Sequence, residues 1–404
     1  MVENEYSLYI HIPFCVQKCD YCAFYSVPLC VRSGASEIVR TYLDVLIFDI
    51  HSQIEHFSVS YIPSIYIGGG TPSVIPPKEA AFFFDALQRL LPNKPLEWTV
   101  EVNPESVNAD FLHICKEYGV TRISAGVQTF NQKLRQSIDR AGRVEDVHKS
   151  LKCIADIYGS NFSCDIICGL PGTNPDILKN DIYQLLRYKP LSVSFYDLTV
   201  EEDTPLAKKI KAGKLCLPSV DMAEEMWLLG RDMLRAAGYE QYEVSNFALA
   251  GGRCEHNVRY WRMRPWLGAG PAASGTIIYD TAAGICASPV KGIRRVCVPD
   301  VAAYLKTGRG AFPALYEREE LSAACLLRES LMMGFRYIEG PDTALFERRF
   351  GITPAALIPK TLDLWRKQGL ARPDIPALTT DGLALQNRFL HAALEEADKT
   401  LGTD

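Results

Sequence analysis

Short apolar runs alternate with longer helical patterns through the first 238 residues of the chain. Six runs have the length and composition of β-strands: 8–12, 64–67, 98–102, 122–127, 162–168 and 191–198. Between these runs, apolar residues recur at spacings of three and four, which is the pattern of one buried helix face. The helical stretches are 39–57, 80–91, 109–118, 147–158, 175–188 and, after the sixth strand, 219–237. The alternation predicts βα units that build a parallel sheet.

The number of units and the break after residue 238 predict the domain organisation. Six βα units suit an open, partial (β/α)6 barrel better than the closed barrel, which has eight. Residues 239–310 mix Gly, Pro, aromatic and short apolar stretches. From Glu317 the pattern becomes helical, with further helices predicted at 345–350, 355–368 and 383–394 and a hairpin at 370–382. We therefore predict an α/β protein with a core barrel (1–238), a connecting segment (239–310) and a small helical, winged-helix-like C-terminal domain (311–404).

The amino-acid composition limits which partners the protein is expected to bind and in which cell compartment it is expected to work. Apolar residues make up 48% and charged residues 23% of the 404 residues, as in ordinary globular proteins. The net charge of −5 provides no basic surface for nucleic acid, so no nucleic-acid partner is predicted. Thirteen cysteines are scattered along a chain without an N-terminal signal segment, which predicts reduced thiols in the cytoplasm. No apolar run approaches the length of a membrane span, whereas contact with a membrane surface stays open.

Cys15, Cys19 and Cys22 form the most informative motif, because three thiols in one short loop can converge on a single inorganic centre. Thiolates favour zinc, copper(I) or iron–sulfur clusters. Zinc normally closes its shell with a fourth Cys or His, usually from a second paired motif, and the chain has no second Cys-x-x-Cys. Three is an odd number for disulfides, and nothing in the sequence indicates secretion. The spacing therefore favours an iron–sulfur cluster with one iron left open.

The other cysteines, apart from Cys254, share no ligand spacing. We predict that they are small apolar residues of the core. They are Cys30, Cys115, Cys153, Cys164, Cys168, Cys216, Cys286, Cys297 and Cys325.

The Cys-x3-Cys-x2-Cys spacing beside the first predicted strand resembles the radical S-adenosylmethionine (SAM) enzymes. In that superfamily three cysteines hold a [4Fe–4S] cluster, and the open iron binds the amino and carboxylate groups of SAM. The flanking residues, Tyr9-Ile-His-Ile-Pro-Phe-Cys15 and Cys19-Asp-Tyr-Cys22-Ala-Phe24, are similar to the branch that contains oxygen-independent coproporphyrinogen III oxidase and the heme chaperone HemW. The resemblance implies a [4Fe–4S] cluster on these three cysteines and SAM as a second cofactor.

The same resemblance implies SAM contacts at the carboxyl ends of successive strands, where ligands bind in such sheets. The glycine run at 68–70 lets a backbone approach a ligand closely, although such a run on its own is more often a turn. A guanidinium at Arg140 suits a carboxylate, and a carboxylate at Asp165 can accept from ribose hydroxyls. The implied SAM contacts are Tyr9, Tyr21, Gly69, Gly70, Thr71, Glu101, Gln128, Arg140 and Asp165. The chain departs from the family pattern at Gly142 and Ser274, where the family has histidine.

A second informative stretch is Cys254-Glu-His256-Asn257-Val-Arg-Tyr260-Trp261. A lone histidine among aromatic residues is more often a structural histidine than a metal ligand. His-Asn-x-x-Tyr-Trp, however, resembles a motif associated with heme binding in HemW proteins. Imidazole is a common axial ligand of heme iron, and flanking aromatic rings can cover a porphyrin face. The resemblance implies heme contacts at His256, Asn257, Tyr260 and Trp261, with Cys254 as a weaker candidate ligand.

Two functions from different classes follow from the resemblance. The oxidase would cleave SAM reductively with electrons from a donor, take a hydrogen from a propionate side chain and release carbon dioxide. The oxidase motif continues Cys-x-Cys after the third ligand, whereas this chain has Cys22-Ala23-Phe24, and the N-terminal extension of the oxidase is not expected here.

These differences and the His256 motif favour a heme chaperone. Such a protein binds heme and passes it to client heme proteins such as cytochromes, and we assign no catalytic residue to it. The sequence leaves open whether the chain forms a homodimer. Radical SAM chemistry on an unrelated substrate is the third alternative, because a fold does not identify a substrate.

Overall fold

A single sheet of twelve strands organises the protein, for which the computed structural model describes residues 4–29, 35–279 and 290–401. The strands, numbered along the chain, are β1 (Ser7–Ile12), β2 (Ser64–Gly69), β3 (Glu97–Val102), β4 (Arg122–Gln128), β5 (Phe162–Cys168), β6 (Ser192–Asp197), β7 (Glu240–Gln241), β8 (Asn246–Ala248), β9 (Trp266–Ala269), β10 (Ser274–Ile278), β11 (Val290–Cys297) and β12 (Tyr316–Ser322). A two-residue pairing of Phe14–Cys15 with Val27–Pro28 lies outside this sheet.

The spatial order of the strands is β12-β11-β10-β9-β1-β2-β3-β4-β5-β6-β8-β7. Strands β1 to β6 are parallel and neighbour one another in chain order, and β9 joins β1 in parallel. The remaining pairings are antiparallel and extend both edges. The six predicted strands and their parallel sheet are thus confirmed. The sheet also continues through the segment after residue 238, where no strands were predicted.

Helices cover the parallel strands and fill the C-terminal region. They are α1 (Ala35–His56), α2 (Pro77–Leu90), α3 (Ala109–Glu117), α4 (Gln132–Ser137), α5 (Val144–Tyr158), α6 (Pro175–Leu186), α7 (Pro205–Lys211), α8 (Val220–Ala236), α9 (Glu255–Trp261), α10 (Val301–Thr307), α11 (Ala311–Ala314), α12 (Ala323–Gly334), α13 (Thr343–Phe350), α14 (Pro354–Leu357), α15 (Pro359–Lys367), α16 (Thr380–Ala384) and α17 (Gln386–Leu401). The six helices predicted between and after the strands are confirmed as α1, α2, α3, α5, α6 and α8. Across the described ranges, no helix combines the length and the apolar character needed to cross a membrane.

Burial of apolar side chains explains why these patterns fold as predicted. Leu8, Ile10 and Ile12 of β1 are almost fully buried, as expected for a strand covered on both faces. The apolar stripe of α1, which includes Leu43 and Ile50, packs into the same core. Asn108 and Asn174 accept backbone N–H groups from the first turns of α3 and α6, which fixes where those helices begin.

The C-terminal region has its own apolar core and is helical, as predicted. Its buried residues include Leu331, Trp365 and Phe389. The helical pattern predicted from Glu317 is wrong at its start, because 316–322 form β12, paired with β11. Pairing with a neighbouring strand outweighs the local apolar spacing there. The predicted hairpin contains one antiparallel bridge between Ala371 and Leu378, after which α16 begins.

Helix α9, which connects β8 with β9, lies at the amino ends of the parallel strands. Glu97 accepts backbone N–H groups of Glu255 and His256, each at 3.0 Å. The Arg259 Nε donates to Ser7 Oγ at 2.6 Å. Because Ser7 and Glu97 are the first residues of β1 and β3, α9 forms a floor at the end of the barrel opposite the carboxyl ends of its strands.

Candidate functional site

A cavity of about 380 Å³ runs through the interior of the barrel from the carboxyl ends of the parallel strands to the α9 floor. The cysteines of the motif line it, namely Cys15, Cys19 and Cys22. So do most of the predicted SAM contacts, namely Tyr21, Gly69, Gly70, Glu101, Gln128, Arg140 and Asp165. The other two predicted SAM contacts lie behind the lining residues of the cavity. The Thr71 hydroxyl is hydrogen-bonded to the Cys15 thiol, and the Tyr9 ring stacks on the Tyr66 ring. The structure therefore brings the residues predicted to hold the cluster and those predicted to bind SAM together at one cavity.

The cysteine loop is tied down on both sides. Backbone N–H of Asp20 donates to the carbonyl of Ile138 at 3.0 Å, and the carbonyl of Asp20 accepts from Leu206 at 3.0 Å. The buried Asp20 carboxylate pairs with Lys209 of α7. A loop held by α7 and by the end of α4 keeps its three thiols directed at the cavity.

The surroundings of the sulfur atoms suit a cluster better than a single ion. Burial raises the pKa of the Cys15 and Cys22 thiols, and the charge of Cys19 adds to the effect, so a cation is needed to hold three thiolates together. Arg140 Nη1 donates to Cys19 Sγ at 3.3 Å. Within the described residues, no three His, Cys, Asp or Glu side chains are close enough to surround one metal ion. Thiolates of a [4Fe–4S] cluster each bind a different iron, so a cluster does not require the three sulfur atoms to surround one ion.

The glycine run at the end of β2 lies between β1 and β3 with no space for side chains. A Cβ at Gly69, whose φ is +105°, would lie 2.4 Å from the His11 ring. A Cβ at Gly68 would lie 2.6 Å from a carboxylate oxygen of Glu101. The run therefore leaves peptide groups, instead of side chains, beside the cavity, as a SAM-binding loop requires.

Two half-buried carboxylates, Glu101 and Asp165, line the same cavity. Glu101 accepts from Tyr66 Oη at 2.8 Å and from the backbone N–H of Gly69 at 3.2 Å. Burial raises the pKa of Glu101 above its usual value. Burial, and then the charge of Glu101, raises the pKa of Asp165 to about 7. A ligand that donates hydrogen bonds to both groups would relieve this unfavourable burial.

Arg140 supplies the opposite charge in the same cavity. Its Nη2 donates to Asn103 Oδ1 at 2.8 Å and to the Gly126 carbonyl at 2.5 Å, while its buried Nε has no partner among the described residues. Burial would lower the pKa of Arg140, but the charges around it, including those of Glu105 and Cys19, outweigh burial and raise it. A permanent cation with an unused donor matches the predicted carboxylate-binding role.

The predicted heme contacts lie at the floor of the barrel and do not share one open face. His256 is fully buried: Ser64 Oγ lies 3.0 Å from its Nδ1, and Tyr260 Oη lies 2.8 Å from its Nε2. Burial, and then Arg259, lowers the pKa of His256 to about 3, so the ring is neutral. Asn257 lines the cavity from below.

The two aromatic residues of the motif pack in opposite directions. Tyr260 sits edge-on to Trp266, and Trp261 packs between Tyr242 and Tyr337. The Cys254 thiol lies against Glu97, and burial raises its pKa, so it is held as a neutral thiol. Heme contact by these residues stays a prediction that requires α9 to move.

Sequence reasoning missed several residues of the site. Asn103 contacts both Arg140 and Thr71, and its only sequence signal is its place in the Glu-x-Asn-Pro motif. Tyr66, Glu97 and Lys209 carry no signal that distinguishes them from ordinary strand and helix residues.

The other cysteines match their prediction in part. Cys115, Cys164, Cys168 and Cys297 are buried, Cys153 and Cys325 are half-buried, and Cys216 is exposed, contrary to the prediction. Cys30 and Cys286 lie outside the described residues.

The chain is similar to known proteins in sequence and in fold. Residues 9–182 match the family model described as the Radical SAM superfamily. The heme chaperone HemW of Bacillus subtilis is 32% identical over 395 residues, which cover 96% of this chain and 99% of that protein. The heme chaperone HemW of Haemophilus influenzae is 31% identical over 401 residues, covering 96% and 98%.

A solved structure supports the fold. Coproporphyrinogen III oxidase (HemN) from Escherichia coli, described as a radical SAM enzyme, superposes with a TM-score of 0.78 over 97% of this chain and 90% of that one, at 21% identity. That identity is too low to carry an activity. The near-complete alignment to the two bacterial relatives is a stronger link, and with the domain match it shows that the chain belongs to the HemW family of the radical SAM superfamily, a superfamily that implies a [4Fe–4S] cluster and SAM.

Proposed function

We propose that the protein is a heme chaperone, which binds heme and delivers it to client heme proteins such as cytochromes. The observation that carries the proposal is the similarity, over nearly the whole chain, to relatives named heme chaperone HemW. A cytoplasmic location is part of the proposal.

In this proposal, the residues of the cavity hold the two cofactors of the superfamily. Cys15, Cys19 and Cys22 hold the cluster, which when bound supplies an open iron for the amino and carboxylate groups of SAM. Arg140 would pair with the carboxylate of SAM, and the peptide groups of Gly69 and Gly70 would contact its methionyl part. Glu101, Gln128 and Asp165 accept hydrogen bonds from the ligand, and α7, through Lys209, keeps the cysteine loop in place.

On the heme side, His256 is the proposed iron ligand and must first be released. Helix α9 is held from below by contacts with the C-terminal region. Arg253 and Arg262 each pair with Glu339 at 2.6 Å, and Arg264 pairs with Asp342 at 2.8 Å. The exposed fraction of the Glu339 side chain is 44%, so single pairs there are weak and separable. Opening the floor of the barrel would also have to break the hydrogen bonds of α9 to Glu97 and Ser7.

Binding of SAM is expected to strengthen as the pH rises from about 6 to about 8. Because the pKa of Asp165 is raised to about 7, this carboxyl is largely protonated at the lower pH and accepts ribose hydroxyls poorly. Binding that requires the ionised form should be about tenfold weaker at the lower pH. Titration of the reconstituted protein with SAM across this range measures the slope. Asp165→Asn should weaken binding and flatten the curve, and a slope retained in that variant would contradict the assignment.

The second candidate function is oxygen-independent coproporphyrinogen III oxidase, because an oxidase from Escherichia coli has a similar fold and the fold does not separate the two activities. It would require an electron donor and turnover of SAM.

One experiment separates the two candidates. We expect anaerobic incubation of the reconstituted protein with SAM, a reductant and coproporphyrinogen III to form no protoporphyrinogen by chromatography. Hemin added to a parallel sample should bind saturably. Formation of protoporphyrinogen would instead establish the oxidase, and absence of hemin binding would remove the chaperone proposal.

A further inference from the structure

Asn103, which directly follows β3, connects two cysteines of the cluster loop through its side-chain amide. The amide Nδ2 donates to Thr71 Oγ1 at 2.7 Å, and this hydroxyl oxygen lies 3.4 Å from Cys15 Sγ. The amide Oδ1 accepts from Arg140 Nη2 at 2.8 Å, and Arg140 Nη1 donates to Cys19 Sγ at 3.3 Å. The hydrogen bonds form an unbroken path from one sulfur atom to the other.

The chemistry of the partners fixes the direction of every bond on this path. A guanidinium only donates, so Arg140 must face the amide oxygen, and the amide nitrogen of Asn103 is left to face Thr71. That nitrogen also only donates, so Thr71 accepts it through a lone pair and keeps its own hydrogen. A thiolate that binds iron only accepts. The Thr71 hydrogen is therefore available for the Cys15 sulfur.

The amide of Asn103 is held firmly in this orientation. The backbone N–H of Asn103 donates to Ser73 Oγ at 3.2 Å. Its backbone carbonyl accepts from the N–H groups of Ser106 and Val107 at 3.0 and 3.1 Å. A Cβ on Gly126 would lie 2.9 Å from Asn103 Oδ1, so the amide packs directly against β4. Both donors to the sulfur atoms thus share one fixed support.

We propose that Asn103 is a positioning residue that directs the Thr71 hydroxyl and the Arg140 guanidinium at the sulfur atoms and thereby raises the reduction potential of the cluster. The proposal rests on the cluster part of the proposed function and on nothing that concerns heme. Hydrogen bonds to the ligand sulfurs stabilise the reduced cluster, which carries one more negative charge, and they are among the factors that set its potential. Donation from Asn103 also polarises the Thr71 hydroxyl, which strengthens its bond to Cys15.

A redox titration of the anaerobically reconstituted protein without SAM tests the proposal, with the electron paramagnetic resonance signal of the reduced cluster as the readout. Asn103→Ala removes both bonds of the amide. We expect the ratio of reduced to oxidised cluster at a fixed potential to fall at least tenfold, which is a midpoint potential about 59 mV lower for one electron. Thr71→Val keeps the shape of the side chain and lacks the donor to Cys15. Its midpoint potential should fall by less, because the bond of Arg140 to Cys19 remains.

Asn93→Ala is the matched control. Asn93 is likewise half-buried, and its amide holds the backbone of Ile62 at 2.7 and 3.0 Å, outside the cavity lining. Its midpoint potential should equal that of the unaltered protein.

The outcomes separate the proposal from a structural role and from the cluster assignment. A merely structural role of Asn103 predicts lower stability with an unchanged midpoint potential, and that result would overturn the proposal. An unchanged potential in Thr71→Val would also overturn it, since the path to Cys15 runs through this hydroxyl. If the unaltered protein takes up no iron and sulfide, the cluster assignment fails together with the proposal. Hemin is absent from the experiment, so the result does not depend on the chaperone activity.

Discussion

Cys19→Ala is expected to abolish the iron–sulfur cluster. Cys19 is the middle thiol of the loop, and its sulfur accepts from Arg140 at 3.3 Å, so it lies in the charged part of the cavity. Without it, only two thiolates face a cluster that needs at least three protein ligands beside SAM. Iron and sulfide per chain after anaerobic reconstitution should fall to the background of unreconstituted protein. The visible absorption of the cluster should disappear with them.

Cys216→Ala provides the control for this experiment. Cys216 is an exposed thiol that lies outside the cavity lining, so its removal should leave iron content and absorption unchanged. The folded state should survive in both variants, because Cys19 lies in a loop outside the strands of the large sheet. A full complement of iron in Cys19→Ala would remove this cysteine from the ligand set.

The parallel half of the fold could be predicted because each of its strands and helices has a pattern in its own stretch of sequence. Each of its strands is a buried apolar run, and each helix between them has a stripe at helical spacing. Strands β7 to β12 could not be predicted in the same way. β12 has the sequence Tyr-Glu-Arg-Glu-Glu-Leu-Ser, whose charges do not alternate like those of a half-buried strand. It is held by its pairing with β11, a long-range contact that leaves no periodic signal.

The candidate site also has a part that the sequence predicts and a part that it does not. The cysteines and the strand-end residues converge because successive parallel strands end at one edge of a sheet. The environment of His256 follows from no motif, since its partner Ser64 comes from a strand 192 residues earlier in the chain. Tyr66 was missed for the same reason: its two contacts, Glu101 and His256, come from β3 and α9.

In the proposed function, the cofactors and the heme bind at opposite ends of one barrel. A ligand that enters from the carboxyl ends of the strands passes the loop of Cys15, Cys19 and Cys22. A ligand that reaches His256 from the other end must pass the ion pairs between the flanks of α9 and Glu339 of the C-terminal region. A carrier benefits from this separation, because a porphyrin held at the floor does not displace SAM from the cluster. An enzyme that attacks a porphyrin side chain needs the opposite, namely substrate in contact with the SAM cavity.

His256→Ala is expected to weaken hemin binding at least tenfold, about 1.4 kcal/mol, and to leave the cluster in place. The substitution removes the proposed iron ligand from the floor, while the cysteine loop is anchored elsewhere. It also leaves Ser64 Oγ and Tyr260 Oη without their partner and opens a void, at an expected cost of about 3 kcal/mol in unfolding free energy. Iron content, hemin titration and denaturant unfolding therefore have to be measured on the same preparation.

His148→Ala controls for the loss of a histidine–tyrosine hydrogen bond. His148 Nδ1 lies 2.7 Å from Tyr188 Oη, and this pair sits outside both proposed sites. It should leave hemin affinity unchanged. A purely structural role for His256 predicts lower stability with an unaltered absorption spectrum of whatever hemin binds. Loss of an axial imidazole predicts a changed spectrum as well. If hemin affinity and spectrum are both unchanged in His256→Ala, the iron is held by another residue and the imidazole serves only to close the floor of the barrel.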